Sequence, residues 1–364
     1  MRGVECGSSG FWIMALMLAP IGAATPAPSE GYDGPVQASF EEALKWVRSQ
    51  PRIHTEYDYV MTVRLRLLLF WVKRDDVGGG YIKLGDVAED PRRQVVQLLF
   101  GSDPSKAPRS INRWGAATEI ARRTSSSDAD PASSVFFGFI KPSRGGSVSS
   151  MQRELSAEGQ GGQHLFEATL GLVDRGQALS KGVPFYTDHD FNLHELDQAQ
   201  QLAIRRLEDG PDRKFRRLEG SSQKSCERAA GFLSTIAELL DDSVQGGHTH
   251  ATLCYVYNAH QYTATLESAH RVAERAVRVA LREGGPGIDQ TYRDLRQAHF
   301  RVLRQDTGGE TDFDILVGAS GPMRGVPIQI SYNPNWWFQV VLNLKGAPLL
   351  SESSSHRPEP AGKE

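Results

Sequence analysis

Two histidines one residue apart, His248-Thr249-His250, come closest to a metal site in this 364-residue chain. On extended backbone, alternate side chains share a face, so both imidazoles would reach one ion. A third ligand would have to come from His260 or His270. Two histidines alone leave a zinc site incomplete. Gly246-Gly247 directly before them reads as a helix stop, so a polar loop is expected there and no resident metal. Asp188-His189-Asp190, with His194 nearby, offers acid–base groups. A catalytic histidine needs an orienting carboxylate and a nucleophile or water in reach. Adjacent residues on a strand face opposite ways, so the triplet reads as a turn before a helix starting at Leu193.

No Gly-x-Ser-x-Gly elbow, Walker loop, His-Glu-x-x-His helix or Cys-x-x-Cys pair occurs. No cofactor is therefore expected, and no catalytic residue is assigned. Gly318-Ala319-Ser320-Gly321 resembles a phosphate loop in composition, but no helix pattern follows it; it reads as a turn joining two strands. Asn333-Pro334-Asn335-Trp336-Trp337 is the most aromatic stretch. Trp336 belongs to an inward face, and Trp337 points the other way. Trp337 is expected either to pack on a middle helix or to contact a ligand or partner. Arg64, Arg66, Arg278 and Arg282 read as solvated strand faces.

The elements that would position these groups start behind a leader. Arg2 is followed by an apolar run over residues 11–21, then Gly22-Ala23-Ala24 and a Pro-rich stretch. That is the layout of a secretory signal peptide, with cleavage expected after Ala24 and a periplasmic or extracellular destination. Of three cysteines, Cys226 and Cys254 would remain. In an oxidising compartment they are expected to pair, closing a loop worth about 3–4 kcal/mol in the chain-entropy model. No later apolar run exceeds the six residues 67–72, too short for a transmembrane helix. The net charge of −3 lacks the basic excess of a nucleic-acid binder.

Period-two alternation dominates the chain beyond the leader. Ser39 and Glu42 have capping-box spacing, and Phe40, Leu44 and Val47 recur at helical intervals before Pro51. Every second residue from Tyr57 to Trp71 is aromatic or aliphatic, which means a β-strand long enough to require a bend or bulge. Leu68, Phe70 and Val72 make its other face apolar too, so that end is expected to be covered on both sides. Gly78-Gly79-Gly80 is read as a turn into a short strand, 81–84. Further strands are expected over 94–100, 114–121, 135–140, 165–173 and 183–186, with a surface loop over 125–134 and a short helix over 149–158. Asn192 and Glu195 again have capping-box spacing, and a second helix is expected over 227–244. From residue 252 onwards, alternation around Tyr255, Tyr262, Val277, Phe300, Ile315, Ile330 and Val340 predicts an antiparallel meander. Helix propensity competes over 269–282, and the Val-Arg-Val repeat favours strand.

The expected organisation is a signal peptide (1–24), a linker (25–35), an N-terminal helix with a β-rich half (36–145), a mixed helical middle (146–248), a C-terminal meander (249–345) and a polar tail (346–364). The fold class is mainly β: a large antiparallel meander, as a sandwich or partly open barrel, with a few helices from the middle of the chain packed on it. The expected role is an exported, non-catalytic binding or scaffold protein, with an apolar ligand, an envelope component or another protein as partner. The competing expectation is an exported hydrolase using Asp188 and His189, or a His248/His250 metal.

Overall fold

A computed structural model describes residues 35–49, 51–67, 70–122, 133–141, 164–174, 177–209, 216–217, 231–257, 260–279, 288–335 and 338–345. The leader and its cleavage site, the expected helix at 149–158, Cys226, Arg282, Trp336, Trp337 and the tail lie outside them.

The long alternating run makes two strands rather than one. β1 (Pro51–Leu67) carries register shifts at Ile53/Thr55 and Met61/Val63. Leu67 then pairs with Phe70, so the chain reverses between them, and Trp71 belongs to β2 (Phe70–Val87). Gly78-Gly79-Gly80 lies within β2 and is not a turn. A Cβ on Gly78, Gly79 or Gly80 would lie against the carbonyl oxygen of Gly101, Tyr59 or Leu99 respectively. The glycines let neighbouring backbones approach closely.

The meander continues through β3 (Asp90–Ser102), β4 (Trp114–Arg122), β5 (Ser133–Ile140), β6 (His164–Asp174), β7 (Gln177–Thr187) and the two-residue β8 (Arg216–Arg217). The C-terminal half contributes β9 (Ala251–Tyr257), β10 (His260–Val279), β11 (Ile288–Arg304), β12 (Glu310–Gly318), β13 (Pro327–Asn335) and β14 (Phe338–Leu344). Among the described residues these form one fourteen-stranded sheet, ordered β8-β7-β6-β5-β4-β3-β2-β1-β14-β13-β12-β11-β10-β9. Antiparallel pairing of β1 with β14, from Tyr59↔Leu344 to Leu65↔Phe338, splices the two halves. The strand reading of 269–282 holds as far as Val279.

The sheet curls into a nearly closed barrel. Phe136 of β5 meets Tyr257 of β9 edge to face, with ring centroids 4.8 Å apart. Inside the curl, Val63, Val340, Ile330, Ile315, Phe300 and Leu266 belong to one core. α3 (Phe232–Gly246) adds Phe232, Ile236, Leu239 and Leu240 to it. This helix starts five residues later than the spacing suggested and ends at Gly247, whose φ of 69° is the left-handed conformation glycine adopts without steric cost. Glu119 of β4, fully buried, holds the start of α3. It accepts hydrogen bonds from the Leu233 amide at 2.7 Å, the Ser234 amide and the Ser234 hydroxyl. A carboxylate suits the positive end of a helix dipole.

The opposite face of β3 to β7 carries a second core. α1 (Pro35–Arg48) covers it with Phe40, Ala43, Leu44 and Val47; α2 (Leu196–Asp209) covers it with Ala199, Ala203, Ile204 and Leu207. α1 begins at Pro35, so Ser39 lies inside the helix instead of capping it; proline is tolerated in a first turn, where its missing N–H has no partner to lose. The Asn192/Glu195 capping box forms as expected. Asn192 Oδ1 accepts the His194 amide at 2.8 Å, and Glu195 Oε2 accepts the Asn192 amide at 3.0 Å. Because β4 and β5 are covered on both faces, most residues of each are buried.

Glu167 of β6 alternates with Phe166 and Ala168, which face the outer core, so it points into the curl near Tyr257. Burial pushes its carboxyl from 4.5 up to about 7. The folded protein then holds this proton more tightly than the unfolded chain, so stability falls as pH rises from about 4.5 to about 7. Glu167→Gln is expected to flatten that part of the melting-temperature profile and to raise the midpoint at pH 8. A second test concerns the glycine triplet. Gly80→Val is expected to cost about 1–3 kcal/mol by overpacking, read as a lower urea midpoint at unchanged slope. At Gly309 an added Cβ would meet only Thr307 Oγ1, at 3.6 Å. Gly309→Ala is therefore expected to stay within about 0.5 kcal/mol.

Candidate functional site

β10 and β11 are longer than the strands beside them. β12 accompanies β11 only as far as Leu295↔Gly318. Beyond that point, Val272–Val279 of β10 pairs with Ile288–Leu295 of β11 as a two-stranded arm. Asp294 sits at the junction with φ 52°, a left-handed conformation that aspartate tolerates better than most residues. Its carboxylate accepts the Arg271 guanidinium at 2.7 and 3.0 Å, and its carbonyl accepts the Ala319 amide at 2.8 Å. Ser320 and Arg271 hold that carboxyl below its usual range. The arm folds over the outer face of the sheet. There Val277, Tyr292 and Leu295 pack with Leu316 and Ile328 in a small third core.

Between arm and sheet lies a cavity of about 380 Å³. The sheet side is built by direct pairing, which puts all its members on one face. Arg64 pairs with Lys73 on one side and Gln339 on the other; Asn343 pairs with Gln329, Val341 with Ser331, and Ser331 with Asp314. Gln297 adds a further amide from β11. The arm contributes Arg275, Ala276, Val277 and Asp289. Arg64 Nη1 donates to Gln339 Oε1 at 3.3 Å, and Gln329 Nε2 donates to Asn343 Oδ1 at 2.8 Å.

Three cationic and two anionic side chains line the cavity beside four amides. Each amide presents a donor and an acceptor together, the inventory needed to match neighbouring hydroxyls on a polyol. His299 stands beside the cavity, but both its nitrogens face carboxylates. Nδ1 is 3.0 Å from Asp314 Oδ1, and Nε2 is 3.4 Å from Glu267 Oε2. Neither nitrogen is therefore aimed at a hydroxyl as a general base would be.

The residues singled out from sequence lie elsewhere and apart. Asp188 and His189 are exposed in the turn before α2. His189 Nε2 meets Glu195 Oε1 at 2.8 Å, whereas Asp190 pairs with Lys141 and lies 3.4 Å from His164 Nδ1. His194 lies 3.6 Å from Asp103. The turn reading of this stretch holds. His248 and His250 are exposed in the connection between α3 and β9. His260 is held by Asp306 at 2.6 Å, and His270 is exposed on β10. Among the described residues no three His, Cys, Asp or Glu side chains are grouped to hold a metal ion. Cys254 lies on β9, where its sulfur accepts from Gln261 Nε2 at 3.2 Å; Cys226 and Trp337 fall outside the described residues. Sequence reasoning missed the groove because its members come from seven strands. The available signal was the preference for glutamine and asparagine, over lysine and glutamate, on the polar face of the last strands.

No protein family matches the chain, and no curated protein matches it. Among solved structures, the chain is similar to a beta-barrel-like protein of the domain of unknown function DUF1849 from Brucella abortus. The two share 9% identity with a TM-score of 0.39, over 81% of this chain and 97% of the other.

The bend at Asp294 sets the position of the arm. Asp294→Val is expected to cost about 1–2 kcal/mol, because a β-branched residue is strained in the left-handed region. Asp294→Gly keeps the backbone conformation and loses the Ser320 hydrogen bond and the exposed Arg271 pair, and is expected to be less destabilising than Asp294→Val. Chemical denaturation of both variants checks the ordering.

Proposed function

We propose that the protein is a non-catalytic binding protein of the cell envelope or extracellular space, and that it takes a neutral, hydroxyl-rich ligand in the groove under the β10–β11 arm. The observation that carries this reading is the amide-rich lining of that cavity, supplied in register by paired strands. A rigid sheet presents such groups with little conformational cost on binding. An apolar ligand inside the curl has less support, since core side chains and α3 occupy that side. The hydrolase reading also has less support, because His189 and Asp190 go to separate partners. Export rests on the order of residue types in positions 1–24, and a Cys226–Cys254 bridge would suit that compartment.

Calorimetric titration with mono-, di- and trisaccharides tests the groove. Binding is expected to strengthen with ligand size up to the volume of the cavity. Gln329→Leu combined with Gln339→Leu is expected to weaken it at least about tenfold, the effect of roughly 1.4 kcal/mol. Absence of heat at about 10 mM saccharide, ten times the Kd given by about 4 kcal/mol of binding, overturns the proposed ligand class.

A further inference from the structure

The β1–β2 hairpin also outruns its neighbours. β14 pairs with β1 only as far as Leu65↔Phe338, and β3 pairs with β2 only from Gly78↔Ser102 onwards. Among the described residues, β2 from Phe70 to Val77 therefore has no strand partner except β1. Trp71 is 49% exposed and Val72 is 48% exposed. Being consecutive on a strand, they face opposite ways, so both faces of the hairpin are open to solvent at this point. That corrects the expectation that this end is covered on both sides.

The sequence at the end of this hairpin is unusual for a solvated edge. Residues 67–72 read Leu-Leu-Leu-Phe-Trp-Val. Arg64 and Arg66 precede them, Lys73 and Arg74 follow, and no acidic residue occurs from 64 to 74. Asp75 and Asp76 stand nearer the base, where Asp75 takes Lys73 at 2.8 Å and Asp76 takes Lys106 at 3.4 Å. Edge strands normally carry charge at exposed positions to discourage association. Here the exposed positions Trp71 and Val72 are apolar, and the exposed Arg74 stands two residues further on.

We propose that this hairpin is a membrane-surface anchor. Trp71 and Val72 enter the interfacial zone of a bilayer containing anionic lipid, and the exposed Arg74, whose guanidinium also donates to the Lys106 carbonyl at 3.0 Å, meets the phosphate headgroups. Charge and shape select this occupant. Tryptophan is enriched at the membrane–water boundary, and basic side chains with long apolar stems reach from a submerged backbone to headgroups. Three residues of strand span about 10 Å, the depth at which interfacial segments sit. A two-stranded tip is also narrow against the roughly 800 Å² per partner that a stable protein interface buries. The anchor is independent of the groove reading; its test uses residues that do not line the groove.

The full chain is mixed with vesicles of phosphatidylcholine alone or with one-quarter phosphatidylglycerol, and pelleted. Cosedimentation is expected with the anionic vesicles, falling as salt rises. Trp71→Ser with Val72→Ser is expected to reduce the bound fraction at least fivefold with an unchanged circular dichroism spectrum and urea midpoint; the leader, common to both proteins, contributes equally. Trp71 itself is read as the fluorescence difference between wild type and Trp71→Phe, and brominated lipid is expected to quench it. Equal binding by wild type and the double variant, no quenching of the Trp71 signal, or a wild-type dimer that the double variant turns into a monomer would each overturn the proposal, the last by making a second copy the occupant.

Discussion

The backbone pairing of β1 with β14 is the constraint on which the molecule depends. It joins residues nearly three hundred positions apart, from Tyr59↔Leu344 to Leu65↔Phe338. Each flanking meander is local, because every other strand pair links neighbours in sequence. Without this splice there would be two sheets with four edges. With it, Val63 and Val340 meet on the concave side while Arg64 and Gln339 meet on the outer side. One register therefore sets both the core and the floor of the groove. A slip by one residue would exchange the two faces, and the apolar row would meet water.

The second organising fact is that strand length differs from place to place. β10 and β11 overrun β12, and β1 and β2 overrun β14 and β3. The first overhang bends at Asp294 and lies back on the sheet, where Val277 and Tyr292 find Leu316 and Ile328. The second stays out, with Trp71 and Val72 exposed on opposite faces. The first covers polar side chains and leaves a cavity above them. The second holds Trp71 and Val72 in solvent beyond the reach of β3 and β14.

Much of the architecture was legible because period-two alternation is a local signal. β1, β9 and the C-terminal strands bury one face, so their sequences alternate cleanly. β5 lies between two cores and reads almost continuously apolar from Val135 to Ile140, which weakens the signal without removing the strand. The glycine triplet misled because glycine marks both turns and close backbone approach; only the neighbouring carbonyls of Tyr59, Leu99 and Gly101 distinguish the two. The Leu67–Val72 run misled for a related reason. Apolar residues on both faces ordinarily signal two layers of cover, but cover depends on how far β3 and β14 extend. The groove was not legible, because Arg64, Asp314, Gln329 and Gln339 become neighbours only through pairing across the sheet. The capping box at Asn192 was legible because both its partners lie within four residues.

The position of β14 has a consequence for synthesis. It is the last of the described strands yet sits in the interior of the sheet, between β1 and β13. A nascent polypeptide leaving the ribosome therefore displays β1 with one unsatisfied row of amides and carbonyls until β14 has been made. During that interval β1 is a template for any extended segment, from its own chain or another. Holdase chaperones that mask Tyr59, Met61 and Val63 would have most to do then, and a premature stop that removed only β14 would leave two half-sheets with nothing to join them.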